Sequence, residues 1–510
     1  MTRQACRRDH RNNLRLKRRN VSMLRRKFKP VRSMLEFRVL SDRDVKKIHE
    51  AALEVMEEAG VRFPSKRALD ILEQAGCKVD RETMVAKLPA KLVMESLRKA
   101  PSQYLLAGRD PKDDLWIDDK TSHLSTDGCA VDFYDIRTGL LRRSTKQDIT
   151  DACKVADYLP EISYIWGPPV SAQDVPAVTR PLHEIEASMD GTTMHIQPET
   201  VISREMAYFA LEMAAVVAGG REALRKRPLF SYMQCATDPL GQDGGSLDAS
   251  MVAAEWGIPT GFMPMPMSCA TAPATLAGNL VVATVDAVSP LVLMQLVNPG
   301  TPVYFAAAPT AIDLQTGGYT GGGPEDFLLA AAFGQICHFY QIPLAMGAFA
   351  TGAKEPDWQA AVDNCFSGLI PVLTKTAIMN GAGTLNGSKA FSLQELIMDA
   401  EIFSMIAKVA EGIEVNDDTL AVDLIKKIGP GGNFLAEKHT RQHMKEIWRP
   451  TVYDRKPYGA WLESGKKGAF AEATEKARWI LENHTVEPLD PKVKQEFARI
   501  IQAAEKELAR

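Results

Sequence analysis

The hydrophobic pattern of the chain changes twice before the main domain begins. From Ser41 onward, apolar positions recur every three or four residues, and breaks at Gly60 and Gly76 divide this part into three predicted helices. Between Tyr104 and Arg142 the period becomes two, with turn residues between the apolar runs, which predicts short strands and hairpins. A cap of helices and hairpins is therefore expected ahead of the main domain.

From Ser163 onward, short β-prone segments alternate with helical stretches, which is typical of parallel βαβ units. Many such units without a G-x-G-x-x-G turn favour a closed barrel over a doubly wound sheet. We predict an α/β fold, a (βα)8 TIM-type barrel, with an eighth strand at Ala130–Tyr134 or beyond Gly412. The other predicted strands are Ser163–Val170, Thr192–Ile196, Leu229–Cys235, Thr260–Pro266, Val303–Ala308, Leu344–Phe349 and Thr376–Gly381.

The predicted barrel divides the chain into four parts. Residues 34–160 form the N-terminal region of helices and β-hairpins, 161–415 the catalytic barrel, and 416–510 a C-terminal helical extension. Residues 1–33 are strongly basic, which fits a disordered tail, a transit peptide or sequence upstream of the native start. We favour a disordered or non-native tail, because transit peptides are usually also rich in serine.

Composition limits the class of protein further. The chain is 45% hydrophobic and 25% charged with a net charge of −3, so no bulk field favours nucleic acid or an anionic membrane. The long apolar stretch Thr271–Val297 contains Asp286, which indicates a buried helix. Eight dispersed cysteines without a C-x-x-C pair predict reduced thiols. We expect a soluble, cytoplasmic protein; a homo-oligomer is compatible with its size, although no residue predicts an interface.

Barrel enzymes carry their chemistry in the loops after the strands, and here those loops are rich in small residues. The runs at 263–271, 306–313, 317–323 and 347–354 are dominated by Gly, Ala, Pro, Ser, Thr and Met. Small residues either leave room for a large flat group over the barrel mouth or allow tight loop packing, and both interpretations stay open. The chain has no G-x-S-x-G motif and no phosphate-binding P-loop.

Aromatic residues near the predicted strand ends could form a cage around a methylated cation, because quaternary ammonium binds ring faces. Asp127, Asp313 and Asp357 are possible carboxylate partners for such a cation, and His183-Glu184 could line the mouth. Taken singly, each carboxylate is more readily a surface or capping residue. The candidate aromatic residues are Trp166, Phe262, Tyr304, Phe305, Tyr319, Phe349 and Trp358, of which at least half are expected to be ordinary packing.

One histidine pair has the spacing of metal ligands. His439 and His443 lie one helical turn apart, with Glu437 and Glu446 nearby, and such a pair could ligate zinc. The glutamate of an H-E-x-x-H motif is missing, so we favour a solvated helix face and predict no metal.

Short motifs occur in order over almost all of residues 34–510, at 100–102, 108–110, 169–174, 276–278, 353–360, 391–399, 433–436 and 440–442. In these motifs the chain resembles the trimethylamine methyltransferase superfamily. The resemblance implies a barrel that passes a methyl group to the Co(I) corrinoid of a separate cognate protein. The chain has no D-x-H-x-x-G motif of its own, so we expect the partner to carry the corrinoid.

One departure from the family pattern bears on the substrate. The founding members carry pyrrolysine just before the A-K-x-P-D motif. Alignment on Ala353-Lys354 places Ala350 at that position, or Phe349 if the one-residue length difference falls otherwise. Similar members without pyrrolysine act on glycine betaine and related quaternary amines, which expel a neutral amine and need no activating group. The resemblance therefore implies a methyltransferase for a quaternary amine, with little turnover of trimethylamine. The alternatives are the same reaction on another methyl donor, or a non-catalytic protein that binds a methylated cation.

The expected substrate-binding residues combine the aromatic cage with groups that could hold a substrate carboxylate. A carboxylate needs donors such as Arg180, His183, Lys354 or the backbone amides of 321–323. The predicted set is Trp166, His183, Phe305, Asp313, Tyr319, Phe349 and Lys354, with no catalytic residue assigned.

Overall fold

The computed structural model describes residues 30–319 and 321–508. Most of the basic segment expected to be a tail, residues 1–29, lies outside this range.

Eight short parallel strands form the central barrel. Seven lateral pairings join them in the order β3-β2-β1-β8-β7-β6-β5-β4 once they are numbered along the chain. A parallel bridge between Ile196 and Phe230 brings β3 beside the segment that enters β4, so the barrel is nearly closed. The strands are β1 His123–Thr126, β2 Ile162–Gly167, β3 Ile196–Pro198, β4 Tyr232–Cys235, β5 Thr260–Met263, β6 Val303–Ala307, β7 Leu344–Gly347 and β8 Ile378–Ala382. The predicted barrel is confirmed.

The position predicted for the remaining strand was wrong. It is β1, upstream of Ala130–Tyr134, so the barrel starts inside the part assigned to the N-terminal region. Asp132–Tyr134 is a strand, but it lies in a side sheet with Leu141–Arg143 and the two short strands Thr384–Leu385 and Ala390–Phe391. The sequence of β1 is His-Leu-Ser-Thr and every one of these residues is buried, so neither an apolar run nor alternation marks it.

Eight helices surround the barrel strands, each largely apolar on the side that covers the sheet. Leu276–Val297 is long and apolar enough to cross a membrane, but 78% of its most apolar window is buried by the rest of the protein, as in a core helix. The eight are Lys146–Tyr158, Arg180–Gly191, Arg204–Ala218, Gly244–Trp256, Leu276–Val297, Pro324–Tyr340, Trp358–Leu373 and Leu393–Ala410, with the short helix Arg221–Lys226 between two of them.

The N-terminal cap packs against the outside of the barrel. Its helices Asp42–Glu58, Lys66–Gln74 and Ala90–Leu97 contact the helix Leu276–Val297. Its three-stranded sheet consists of Val61–Arg62, Lys78–Asp80 and Val85–Lys87.

Side chains fill the lower part of the barrel. The Tyr304 ring lies across Gly261, where an added Cβ would come within 2.3 Å of the ring, so only glycine leaves it room. Tyr104, from the hairpin Tyr104–Leu106 and Leu115–Ile117, stacks on Tyr304 with ring centroids 5.4 Å apart. This packing closes the N-terminal end and leaves the C-terminal end, the mouth, for chemistry.

The C-terminal extension has two different halves. The helices Ala469–Asn483 and Pro491–Leu508 pack on the outer helices Leu393–Ala410 and Arg204–Ala218. The four shorter helices before them have no buried residue. They are Asp417–Leu420, Val422–Ile428, Lys438–His443 and Tyr458–Glu463.

Candidate functional site

Asp127 directly follows β1 and is buried at the mouth. Its carboxylate accepts hydrogen bonds from Asn380 Nδ2 on β8, at 3.1 Å, and from Ser388 Oγ, at 2.8 Å. Both partners come from the neighbouring β8 and the loop after it, which fixes the carboxylate at the edge of the barrel.

Glu199 directly follows β3 and lies beside the loop that carries Asp127. Its Oε2 accepts a hydrogen bond from Trp166 Nε1 at 2.9 Å. A Cβ on Gly128 would come within 2.7 Å of Glu199 Oε1 and 2.6 Å of Gly167 Cα, so glycine is required for this close approach. The two carboxylates therefore share one part of the mouth.

Burial and mutual repulsion oppose ionisation of this carboxylate pair. Burial, followed by the charge of Asp127, raises the pKa of Glu199 to about 8. Burial also raises the pKa of Asp127, against the opposing effect of its bonds to Ser388 and Asn380. Within residues 30–319 and 321–508, neither carboxylate forms an ion pair with a lysine or arginine. The pair can therefore hold a proton or compensate a bound cation.

Two thiols lie near these carboxylates. Burial, followed by the charge of Glu199, raises the pKa of the Cys129 thiol well above its usual value. Desolvation, followed by the charge of Glu199, also raises the pKa of the Cys235 thiol, although this residue is partly exposed to solvent. Raised pKa values favour the neutral thiol at neutral pH, so both side chains line the site as uncharged groups and not as nucleophiles.

Tyr319 extends the site to the rim of the mouth. Its ring lies between two loops, because a Cβ on Gly321 would come within 2.7 Å of it and one on Gly387 within 3.1 Å. Gly387 precedes Ser388, the hydrogen-bond partner of Asp127, and the ring is 45% exposed. Tyr319 thus offers an accessible aromatic surface close to the carboxylate pair.

Ala350, which the alignment on Ala353-Lys354 matches to the pyrrolysine of the resembled family, lies just after β7. It lines a crevice with Pro309, Tyr319 and Gly347. The Gly352 N–H donates to the Gly321 carbonyl at 3.2 Å, so the glycine-rich loop packs against the loop of Ala350. Tight loop packing, one of the two interpretations left open for the small residues, is therefore observed here.

The aromatic residues of the predicted cage divide between the two faces of the barrel. Trp166 is fully buried in the interior, where its indole holds Glu199. Phe305 instead packs on the outside, with its centroid 6.2 Å from that of Phe333. Phe349 is also turned outward, against Gly368. The reason is the alternation of side chains along a strand, which places neighbouring residues on opposite faces.

The charged candidates lie in positions with local structural roles. His183 is on an outer helix, and its Nδ1 is 3.3 Å from Lys146 Nζ. Asp313 accepts backbone N–H bonds in an exposed turn, and Asp357 caps the helix Trp358–Leu373. Lys354 is exposed, with Nζ donating to the Gly352 carbonyl. The structure therefore brings none of these four into contact with Asp127 or Glu199.

Sequence reasoning missed Glu199, Cys129 and Cys235. The predicted third strand ended at Ile196 and the next helix began at Thr200, so Glu199 did not stand at a strand end. In the structure β3 runs to Pro198, and Glu199 occupies the position where barrel enzymes place functional residues. A strand boundary two residues later would have revealed it.

Known proteins resemble this chain over most of its length. The chain is 34% identical over 460 residues to the trimethylamine methyltransferase MttB of Methanosarcina thermophila, covering 89% of this chain and 95% of the relative. The glycine betaine methyltransferase of Desulfitobacterium hafniense (strain Y51) is 29% identical over 477 residues, covering 93% and 98% respectively. Among solved structures, the Methanosarcina barkeri monomethylamine methyltransferase (MtmB) matches with a TM-score of 0.50 and 13% identity, covering 89% of this chain and 97% of that one; it supports the fold alone.

The family comparison agrees with these relatives. The profile of the family described as trimethylamine methyltransferase (MTTB) matches residues 4–509. The chain belongs to the trimethylamine methyltransferase family and is a methyltransferase.

Proposed function

We propose that this protein transfers a methyl group from a quaternary amine, of the glycine betaine class, to the Co(I) corrinoid of a separate cognate protein. The observation that carries the proposal is the pair Asp127 and Glu199, two carboxylates at the mouth without a cationic partner among the described residues. A bound cation would compensate their charge, and its methyl groups would contact Tyr319. The proposal also rests on the family and on the relative named glycine betaine methyltransferase.

A quaternary ammonium fits this site better than a neutral amine for a chemical reason. In the proposed transfer, a methyl carbon would form a bond to the Co(I) of the partner's corrinoid while its C–N bond breaks, and the electron pair of that bond would stay on nitrogen. A quaternary substrate then leaves as a neutral tertiary amine without help from an acid. The carboxylate pair attracts the charged substrate and loses that attraction when the product forms, which favours product release.

The residue at position 350 supports the same substrate class. Ala350 offers a methyl group where the pyrrolysine-containing relatives would have a reactive side chain. The two thiols near Asp127 and Glu199, those of Cys129 and Cys235, have raised pKa values, which disfavours the nucleophilic thiolate. The chain's own residues would bind and orient the substrate and exclude water rather than react with it.

A corrinoid protein that delivers Co(I) to the substrate would have to dock at the barrel mouth. Exposed apolar side chains lie around the mouth. Leu314, in the loop after β6, is 78% exposed, and Trp358, the first residue of the helix that follows β7, is 83% exposed. Large apolar side chains left in solvent on functional loops mark interaction surfaces. We call the set Val131, Met265, Leu314, Tyr319 and Trp358 the mouth rim.

The competing substrate class is a tertiary amine, because several relatives are named trimethylamine methyltransferase. A purified protein supplied with cob(I)alamin and then with the cognate corrinoid protein separates the two classes. Glycine betaine, proline betaine, carnitine, choline and trimethylamine are tested one at a time, with methylcobalamin formation followed by absorbance. Methylation from one quaternary compound supports the proposal. Methylation from trimethylamine at a comparable rate, or none with the corrinoid protein present, overturns it.

A further inference from the structure

A cluster of two histidines and an aspartate lies in the exposed part of the C-terminal extension, outside the barrel mouth. One nitrogen each from His439 and His443 and one carboxylate oxygen of Asp418 lie within 4.8 Å of one another. The two imidazole rings come from one helix, with centroids 4.2 Å apart, and Asp418 comes from the helix Asp417–Leu420. The sequence interpretation of a plain solvated face overlooked Asp418, which is distant from the histidines in the chain.

The geometry around His443 is that of a metal ligand. Its Nδ1 lies 2.8 Å from Glu446 Oε1, and donation to this carboxylate leaves the lone pair of Nε2 directed at Asp418. Nε2 lies 3.3 Å from Asp418 Oδ2, which is longer than a normal charge-assisted hydrogen bond. Two ligand atoms on a tetrahedral zinc ion are roughly 3.3 Å apart when each bond is about 2.0–2.1 Å long. A carboxylate behind a histidine ligand is the usual arrangement for orienting it.

The surrounding segment has a physical need for such a cross-link. The helices Asp417–Leu420, Val422–Ile428 and Lys438–His443 contain no buried residue, so apolar packing contributes little to holding them together. The observed links are polar, such as Lys427 Nζ to Glu437 Oε2 at 3.0 Å. A metal between Asp418 and the histidine pair would join both ends of this segment.

We propose that Asp418, His439 and His443 bind one Zn²⁺ ion that joins the helix Asp417–Leu420 to the helix Lys438–His443, with Glu446 orienting His443. Imidazole and carboxylate ligands suit zinc, and the three protein ligands leave a further position for water. The ion replaces the direct contact between His443 Nε2 and Asp418 Oδ2. His439, whose Nε2 lies 3.1 Å from the Asp418 carbonyl oxygen, either exchanges that hydrogen bond for the metal or binds through Nδ1.

The test is a zinc titration of the full-length, tag-free protein after treatment with a chelator, measured by calorimetry and by elemental analysis after gel filtration. The expected result is one tightly bound zinc per chain, lost in the double variant His439→Gln/His443→Gln. His484→Gln is the matched control, since His484 pairs with Asp157 elsewhere, at 2.8 Å, and it should bind like the wild type. Glu446→Gln should weaken binding by about 10- to 100-fold.

Limited proteolysis provides a readout that does not depend on affinity. Zinc should slow tryptic cleavage after Lys426 and Lys427, which lie between the ligands, in the wild type but not in the double variant. The proposal is overturned if wild type and double variant bind zinc equally, which would assign the metal to thiols. It is also overturned if neither binds, in which case the side chains of the cluster only contact one another.

Discussion

The Trp166 indole donates a hydrogen bond to Glu199 Oε2 at 2.9 Å, which joins the buried interior of the barrel to the carboxylate pair at its mouth. The ring is completely buried, so its role is to hold Glu199 and not to offer a face to the substrate. The site is therefore built from carboxylates that the barrel positions, and its aromatic contribution comes from Tyr319 at the rim.

Removing the charge of Glu199 should weaken substrate binding more than it slows the chemical step. We expect Glu199→Gln to raise KM for a quaternary amine about 10-fold or more, with a smaller change in kcat, because the lost attraction acts on the charged substrate. Steady-state kinetics with varied amine would measure this. Glu205→Gln, at an exposed helix start, is the control and should leave KM unchanged. A fall in kcat alone would contradict a role in binding.

Substrate affinity should depend on pH. The pKa of Glu199 is raised to about 8, so the free site holds a proton on it at neutral pH. A cation binds to the ionised form, and apparent affinity should therefore improve as pH rises through about 8 and then level off. Calorimetric titrations across this range would show it, together with proton release on binding. Glu199→Gln should flatten the profile; a wild-type profile that is flat would argue against the site.

The mouth rim should matter only when the methyl acceptor is a protein. We expect Leu314→Asp or Trp358→Asp to lower the rate of transfer to the corrinoid protein about 10-fold or more, because a charge would be buried at the interface. Transfer to cob(I)alamin alone should change little. Leu435→Asp is a matched control, since Leu435 is 83% exposed in the C-terminal extension. Equal losses with both acceptors would instead indicate damage to the site.

A second carboxylate pair should lower stability at high pH. Burial, followed by Asp238, raises the pKa of Asp286 to about 9 in the folded protein. Between the ordinary value of 3.8 and about 9, unfolding releases this proton, so the free energy of unfolding should fall as pH rises, by at most about 1.4 kcal/mol per pH unit.

Asp286→Asn removes this titration, while its amide can still donate to Asp238. Urea unfolding at about pH 6 and about pH 9 should show a smaller loss of the free energy of unfolding between the two pH values in this variant than in the wild type. Asp423→Asn, at a fully exposed carboxylate, serves as the control. If the free energy of unfolding of Asp286→Asn depended on pH as strongly as that of the wild type, this would contradict a proton held by Asp286 beside Asp238.

Filling the space over Gly261 should destabilise the barrel. The added Cβ of Gly261→Ala would lie 2.3 Å from the Tyr304 ring, which is held by Tyr104 and by its own hydrogen bonds. We expect a loss of about 1–3 kcal/mol in the free energy of unfolding. Gly459→Ala is the control, because no atom lies within 4 Å of a Cβ added there, and it should change the free energy of unfolding little. Gly139 is less suitable as a control because its φ is positive.

The barrel could be predicted because most of its strands overlap short β-prone segments that alternate with helices, although the predicted Thr192–Ile196 shares only Ile196 with β3. The prediction failed at β1, where four buried residues include only one apolar side chain, Leu124. A pattern of hydrophobic residues cannot mark a strand that buries hydroxyl groups, such as Ser125 Oγ, which donates to the Thr126 and Met379 carbonyls.

The site was less predictable than the fold. Tyr319 was named from sequence and lies at the rim. Phe305 and Phe349 were also named but face outward. Their orientation could not be predicted, because an error of one residue in a strand boundary reverses which side chains point inward. Asp127 was named, yet its partner Glu199 was not, since their proximity depends on the close approach at Gly128. Pairings of this kind come from the folded chain and not from spacing.

The most direct test of the substrate class is a competition in one reaction. Glycine betaine with deuterated methyl groups and unlabelled trimethylamine, at equal concentrations, are supplied to the protein and its cognate corrinoid protein, and the methylcobalamin formed is analysed by mass spectrometry. The carboxylate pair and Ala350 predict that nearly all of the methyl groups transferred carry deuterium. Methylcobalamin formed mainly from unlabelled trimethylamine would contradict the assignment of this chain to quaternary amines.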